Sequence, residues 1–241
     1  MNSERPITSN RFAVVLPRVL KHEGRFSDHP RDPGGATMKG VTQRTYDAFR
    51  DEHHLPRQPV KRLSHDELAQ IYAGGYWGPP HCARLPIGLD YAVFDWSVNS
   101  GPRRAVKGLQ RALGVTADGV VGSVTLAAAK AAPPERSVNR LCDRRLGFKR
   151  RLPTWADFGR GWTRRVEDVR STALAEIAKS KAQAAEARAR RERLEAEQIP
   201  FSLRTNPAPL KPTPIPSPQE PTTLTPPPLG RFWRALVDLF T

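Results

Sequence analysis

Apolar positions along this chain fall in short runs that mostly repeat at helical spacing, with polar turns between them. Phe12-Ala-Val-Val-Leu16, with Val19 and Leu20, predicts a helix over 11–23. Pro17 marks a kink position, and Gly24 stands just past the end, where positive φ is easily met. Thr42 is a fair N-cap for a helix carrying Tyr46 and Phe49. Ser64-His-Asp-Glu67 reads as a capping box opening a helix through Leu68, Ile71 and Tyr72, which Gly74-Gly75 ends. Tyr76 and Trp77 then fall in a loop, where they read equally as exposed stacking surfaces or, for Trp77, as a cap on the core. Residues 85–102 are apolar on most sides and predict the central buried helix. Asp95 and Asn99, four apart, share one face of it, and buried polar groups of that kind need partners. Ala105, Val106, Leu109 and Leu113 predict a helix over 103–113, Ser123 caps one through Ala131, and another runs from Pro134 to Leu152.

Beyond this the pattern changes. From Val166 to Gln198 the chain is rich in Ala, Arg and Glu with little apolar stripe beyond Val169, Leu174 and Ile177, predicting a long helix with too little to bury. Residues 200–229 are Pro-rich and predict an extended linker. In residues 230–241, Phe232, Leu236, Leu239 and Phe240 share one face of a short amphipathic segment. It suits a membrane surface or a partner, and equally a terminus that folds back. The fold class is therefore all-α with minor β, the β part being one short hairpin within 25–42.

Charge narrows the partner. Lys and Arg exceed Asp and Glu by a formal +15, which implies an anionic partner: nucleic acid, a membrane surface or a bacterial wall. No zinc-finger, RNA-binding or helix-turn-helix signature supports specific nucleic-acid binding. Cys82 and Cys142 are too few for a disulfide framework and are expected to be buried thiols. His22-Glu23 is not followed by a second histidine at metal-ligand spacing. The polar first ten residues and the interruption at Pro17-Arg18 do not resemble a signal peptide, so synthesis in the cytoplasm is expected.

The candidate chemistry lies between Leu20 and Gly40. Glu23 is expected in the last turn of the first helix, facing the negative end of the helix dipole, with Leu20 or Phe26 as apolar neighbours. Such surroundings favour a protonated carboxyl, the form a general acid needs. Nine residues on, Asp32 opens Asp32-Pro33-Gly34-Gly35, a tight-turn sequence that leaves its carboxylate solvated. Two carboxyls in unlike settings suit glycosidic cleavage. Taken alone, the same spacing also fits an ordinary solvated Glu at a helix end.

The wider segment resembles the front of glycoside hydrolase family 108: His22-Glu23-Gly24, Asp32-Pro33-Gly34-Gly35, Thr37 and Gly40-Val41-Thr42. These are bacterial and phage N-acetylmuramidases with a Glu-Gly-Gly-Tyr signature. Here Arg25 replaces the second Gly, Phe26 the Tyr, and Ala36 a usual Pro. Leu109-Gln-Arg-Ala-Leu-Gly114 followed by Asp118-Gly-Val-Val-Gly122 resembles small helical peptidoglycan-binding modules. Phe158-x-x-Gly161-Trp162-x-x-Arg165-Val166 looks like the family's end.

The resemblance covers about residues 10–170. It implies a lysozyme-like catalytic region over 10–100 and a peptidoglycan-binding-like region over 101–170, packed as one unit. After these come the charged helix (171–199), the linker (200–229) and the short amphipathic end (230–241). The implied reaction is hydrolysis of the β-1,4 bond between N-acetylmuramic acid and N-acetylglucosamine. Glu23 would be the acid, Asp32 with Thr37 would orient water or stabilise the ring cation, and Phe26, Tyr76, Trp77 and Asn99 would bind substrate. No metal or organic cofactor is implied. The expected partners are peptidoglycan glycan strands and, through the C-terminal segment, a membrane surface; a monomer is expected. An endolysin released through a holin, or a non-classically exported autolysin, fits these expectations. Two rivals are a wall-binding module without catalysis and a basic nucleic-acid-binding protein.

Overall fold

The computed structural model describes residues 8–28 and 35–197. Eight helices and three short strands occur among them: α1 (Thr8–Leu20), β1 (Phe26–Ser27), β2 (Thr37–Met38), β3 (Val41–Thr42), α2 (Gln43–Glu52), α3 (His65–Tyr72), α4 (Leu89–Ser100), α5 (Pro102–Leu113), α6 (Ser123–Ala131), α7 (Pro134–Lys149) and α8 (Trp155–Glu197). The mostly helical class with minor β holds. The Pro-rich stretch, the segment over 230–241 and the Asp32 turn lie outside the described residues. Among those described, no helix is long and apolar enough to cross a membrane.

Local chemistry explains most boundaries. Thr42 Oγ1 accepts a hydrogen bond from the Thr45 amide at 3.1 Å and caps α2. The Ser64–Glu67 capping box opens α3, with both reciprocal bonds made. Pro102 stands at the first position of α5, where a missing N–H costs nothing. Five boundaries differ from the sequence reading. α1 stops at Leu20, so Glu23 lies three residues beyond it. The chain does not break at Gly74-Gly75: a π-helical turn over Ala73–Trp77 carries it on. The central helix α4 starts at Leu89, not at residue 85. Ser123 is the first residue of α6, and Gly122 holds the cap position. Finally, α8 is one helix from Trp155, and Val166, Val169, Ala173 and Ile177 bury one face of it. Val169 and Ile177 were legible in the sequence, and Val166 and Ala173 complete their stripe at spacings of three and four; residues 181–190 are exposed, as composition suggests.

The expected hairpin is a three-stranded antiparallel sheet in the order β1-β2-β3. Phe26 pairs with Met38 and Ser27 with Thr37, then Thr37 with Thr42 and Met38 with Val41. Lys39 and Gly40 close the second hairpin with φ of 47° and 77°. Both values are positive, as in the type I′ turns that match strand twist.

The core centres on α4, whose residues Leu89 to Ser97 are all buried. Helices α1, α5 and α7 pack around it. Phe12 and Phe94 lie 5.6 and 5.2 Å from the Trp77 ring. Cys82 and Cys142 are buried and unpaired. Helix α5 approaches α4 closely because residue 108 has no side chain: a Cβ there would lie 2.1 Å from Cζ3 of Trp96. Gly108→Ala should therefore lower stability by about 1–3 kcal/mol or more, since the ring has to move to admit a methyl. An unchanged midpoint of chemical denaturation would contradict this packing.

Candidate active site

The site grows from one buried acid. Asp95, on α4, is fully enclosed. Burial alone would raise its pKa, but Arg145 and Arg165 outweigh that and hold it below the usual carboxylate range. Arg145 reaches in from α7, its Nη1 and Nη2 lying 3.2 and 3.3 Å from Asp95 Oδ1. Arg165 reaches in from α8, with Nε 2.9 Å from both carboxylate oxygens. Its Nη2 is 2.8 Å from Asp95 Oδ2 and also 2.8 Å from Glu23 Oε1. A single guanidinium thus ties the core helix to the candidate acid.

A second set of ion pairs fixes the segment that carries Glu23. Arg11, on α1, donates through Nε and Nη2 to Asp90 of α4 at 2.7 and 2.9 Å. The same guanidinium donates to Glu176 of α8 at 3.0 and 3.1 Å. Arg18 Nη1 lies 2.6 Å from Glu176 Oε1. Together these hold α1 against α4 and α8, so the chain leaving α1 delivers Glu23 to Arg165.

On its other side Glu23 meets the β2–β3 turn. A Cβ on Gly40 would fall 2.8 Å from Glu23 Oε2 and 2.9 Å from the Tyr72 hydroxyl. Gly40 is therefore needed twice, for its positive φ and for the space the carboxylate occupies. The Tyr72 hydroxyl donates to the Lys39 carbonyl at 2.7 Å and pins the turn. Burial, and then the Glu23 charge, push the phenols of both Tyr72 and Tyr76 up, which keeps them protonated.

These surroundings correct the expectation of apolar neighbours. The chain leaves α1 early, so Glu23 meets an arginine, two tyrosines and a glycine turn. Phe26 is exposed on β1 with Lys61 Nζ 5.4 Å from its ring centroid.

The other sequence candidates divide. Thr37 is on the central strand, opposite Ser27 and Thr42. Tyr76 is half-buried, 5.5 Å from the Tyr72 ring. Trp77 is a core residue rather than a sugar platform, because its ring is enclosed by Phe12 and Phe94. Asn99 lines a cleft of about 580 Å³ together with His22, Trp162, Arg164, Arg165 and Asp168. Asp32 lies outside the described residues.

Sequence reasoning did not single out Arg165, Tyr72, Gly40 or Trp162. Arg165 and Trp162 carried a signal as fixed positions in the closing Phe-x-x-Gly-Trp-x-x-Arg-Val pattern, and Gly40 as part of Gly40-Val41-Thr42; Tyr72 carried none. Trp155, Phe158 and Trp162 form a stripe on α8, with rings 6.1 and 5.7 Å apart. Phe158 is 55% exposed, so this stripe supplies the open aromatic faces that Trp77 does not. Among the described residues no three His, Cys, Asp or Glu side chains cluster as metal ligands.

A helical domain with a glutamate fixed by a guanidinium that lines its cleft, and with an aromatic stripe on α8 that reaches the cleft at Trp162, has the equipment of a glycoside hydrolase. Residues 16–101 match the family described as "Glycosyl hydrolase 108", and residues 104–167 match "Predicted Peptidoglycan domain". The solved structure of SagA from Brucella abortus is 43% identical, with a TM-score of 0.62 over 70% of this chain and 96% of that one. Among curated proteins nothing matches the chain. The chain belongs to glycosyl hydrolase family 108 and is a glycoside hydrolase of the peptidoglycan-degrading kind.

One titration follows from the crowding of cations here. Lys149 is buried with its Nζ 4.5 Å from the Trp162 ring centroid. Burial, then Arg145, Arg165 and Arg104, push its amine down to about 8 against the pull of Asp95. An unfolded lysine titrates near 10.4, so between about pH 8 and 10.4 the unfolded chain holds more protons. The penalty on the fold is complete below pH 8 and is relieved as pH rises through that window. Lys149→Met should thus stabilise the protein by about 1 kcal/mol at pH 7, with a gain that shrinks towards pH 10.4. Melting temperatures of both proteins across this range check it; a gain that grows with pH would contradict the assignment.

Proposed function

We propose that this hydrolase is an N-acetylmuramidase with Glu23 as its general acid. It cleaves the β-1,4 bond between N-acetylmuramic acid and N-acetylglucosamine. The observation that carries the reading is the placement of Glu23: one oxygen is fixed by Arg165 and the other lies against the Gly40 turn, beside the cleft. A carboxyl fixed by one guanidinium and walled by a tight turn is positioned before substrate arrives, and such positioning makes proton delivery efficient. Asp32, in the connection between β1 and β2, is the second carboxylate, with Thr37 on the following strand. These two orient water or stabilise positive charge on the sugar ring. Trp162 and Phe158 supply stacking surfaces for sugar rings, with Asn99 and Tyr76 as polar partners. The formal charge of +15 favours adsorption to an anionic wall. An endolysin or autolysin that acts on the wall after release from the cytoplasm fits this chemistry.

Glu23→Gln should remove cleavage and spare binding. Gln keeps the shape and can still accept from Arg165, but it has no proton to give the leaving oxygen. The loss should be at least about 10²–10⁴-fold. Mass spectrometry of digested purified peptidoglycan reads both parts of the proposal. Wild-type products should end in reducing N-acetylmuramic acid, and the variant should release almost none. Reducing N-acetylglucosamine ends would overturn the bond assignment. Near-normal release by the variant would remove Glu23 from the reaction.

A further inference from the structure

A second cleft, of about 590 Å³, lies between α5 and α7. Six cations line it: Arg103, Arg104, Lys107 and Arg111 on α5, Arg144 on α7, and Arg151 just beyond. No Asp or Glu lines it. Helix α5 has no acidic residue at all. Helix α7 has two beyond its cleft face, and both are engaged elsewhere: Glu135 with Lys181, and Asp143 with Arg170 at 2.7 Å. Among the described residues, Arg103, Lys107, Arg111, Arg144 and Arg151 pair with no carboxylate. Arg104 is held in place without being neutralised, over the Phe148 ring at 4.6 Å and donating to the Ser100 carbonyl at 3.3 Å. Like charges gathered in one concavity repel, and an anionic ligand relieves that repulsion.

We infer that this cleft binds the carboxylate-bearing peptide stems of peptidoglycan. The inference rests on the muramidase reading only for the source of the anion. Three features point to stems. First, the α5 cations run from residue 103 to 111, which at about 1.5 Å per residue spans about 12 Å. That suits several carboxylates spread along an extended ligand better than one compact phosphate. Second, Trp96 and Phe148 give the cleft apolar surface among the guanidinium groups, matching the short aliphatic groups between stem carboxylates. Third, the cleft adjoins, at the end of α4, the cleft lined by Arg165, the partner of Glu23. Asn99 lines one and Ser100 the other, and the Ser100 hydroxyl donates to Asn99 Oδ1 at 3.3 Å. A glycan lying along the Asn99–Arg165 cleft would therefore present its stems towards the cations.

The test uses the full chain carrying Glu23→Gln, so that binding is read without cleavage. Its equilibrium binding is measured, by calorimetry, to soluble glycan fragments that carry stems and to the same fragments freed of stems by an amidase, which leaves only the lactyl carboxylate on each muramic acid. Intact material should be bound at least tenfold more tightly. Adding R103Q, K107Q and R111Q should bring binding of intact material down to the stripped level. Arg144→Gln with Arg151→Gln, on the opposite wall, should give a like loss. The substituted side chains are exposed or half-buried, so circular dichroism melts should stay unchanged. Free stem tetrapeptide should displace the protein, and inorganic phosphate at equal ionic strength should not. Equal binding to stripped glycan, full binding by both sets of folded variants, or stronger displacement by phosphate than by tetrapeptide would each overturn the inference. Failure of the muramidase reading would show separately, as a lack of cleavage by the protein with Glu23 intact.

Discussion

A carboxylate cannot stay charged in a protein interior without partners, and Asp95 is sealed in the centre of this one. That constraint recruits Arg145 from α7 and Arg165 from α8 and joins three helices at one point. Because a guanidinium has more donors than one carboxylate uses, Arg165 has an Nη2 to share with Glu23. The pairing required by burial thus also positions the candidate acid. The consequence is asymmetric. Arg165 is anchored on both oxygens of Asp95 through Nε, independently of the Nη2 contact that it makes with Glu23.

Charge elsewhere follows a similar division. Where acids and bases meet, they tie helices: Arg11 with Asp90 and Glu176, and Arg170 with Asp143. Where bases gather unpaired, they face solvent in the α5–α7 cleft, next to the one lined by Asn99 and Arg165. The large positive charge of the chain is therefore distributed with a pattern. Part of it is structural and buried, and part remains available to an anionic wall. Exposed unpaired charges contribute little to stability, so their concentration in one cleft bears on binding.

The helices were legible because their signals are local. The Thr42 cap and the Ser64–Glu67 box act within one turn, and the all-round apolar character of α4 reflects its burial directly. The β2–β3 turn was missed because Lys39-Gly40 is a weaker turn signal than Asn-Gly, and two-residue strands leave no alternation to read. The continuity of α8 was hidden by Gly159 and Gly161 and by a stripe of only four buried residues. In the site, Glu23 could be named from its motif, but its neighbours could not. Arg165 lies 142 residues away in sequence, and no periodicity links the two. Trp77 was ambiguous for a different reason: an aromatic beside glycines and prolines reads equally as a platform or as a plug, and Phe12 and Phe94 make it a plug.

The central claim is that Arg165, held by Asp95, positions Glu23 for proton transfer. Steady-state kinetics of Arg165→Met on soluble peptidoglycan fragments test it most directly, with folding followed by circular dichroism. Asp95 keeps Arg145 in this variant, so the protein should fold, with some loss of stability. Its kcat should be at least about 100-fold lower, with KM changed far less, because positioning acts in the transition state. A folded variant that keeps wild-type kcat, or loses only KM, would contradict it.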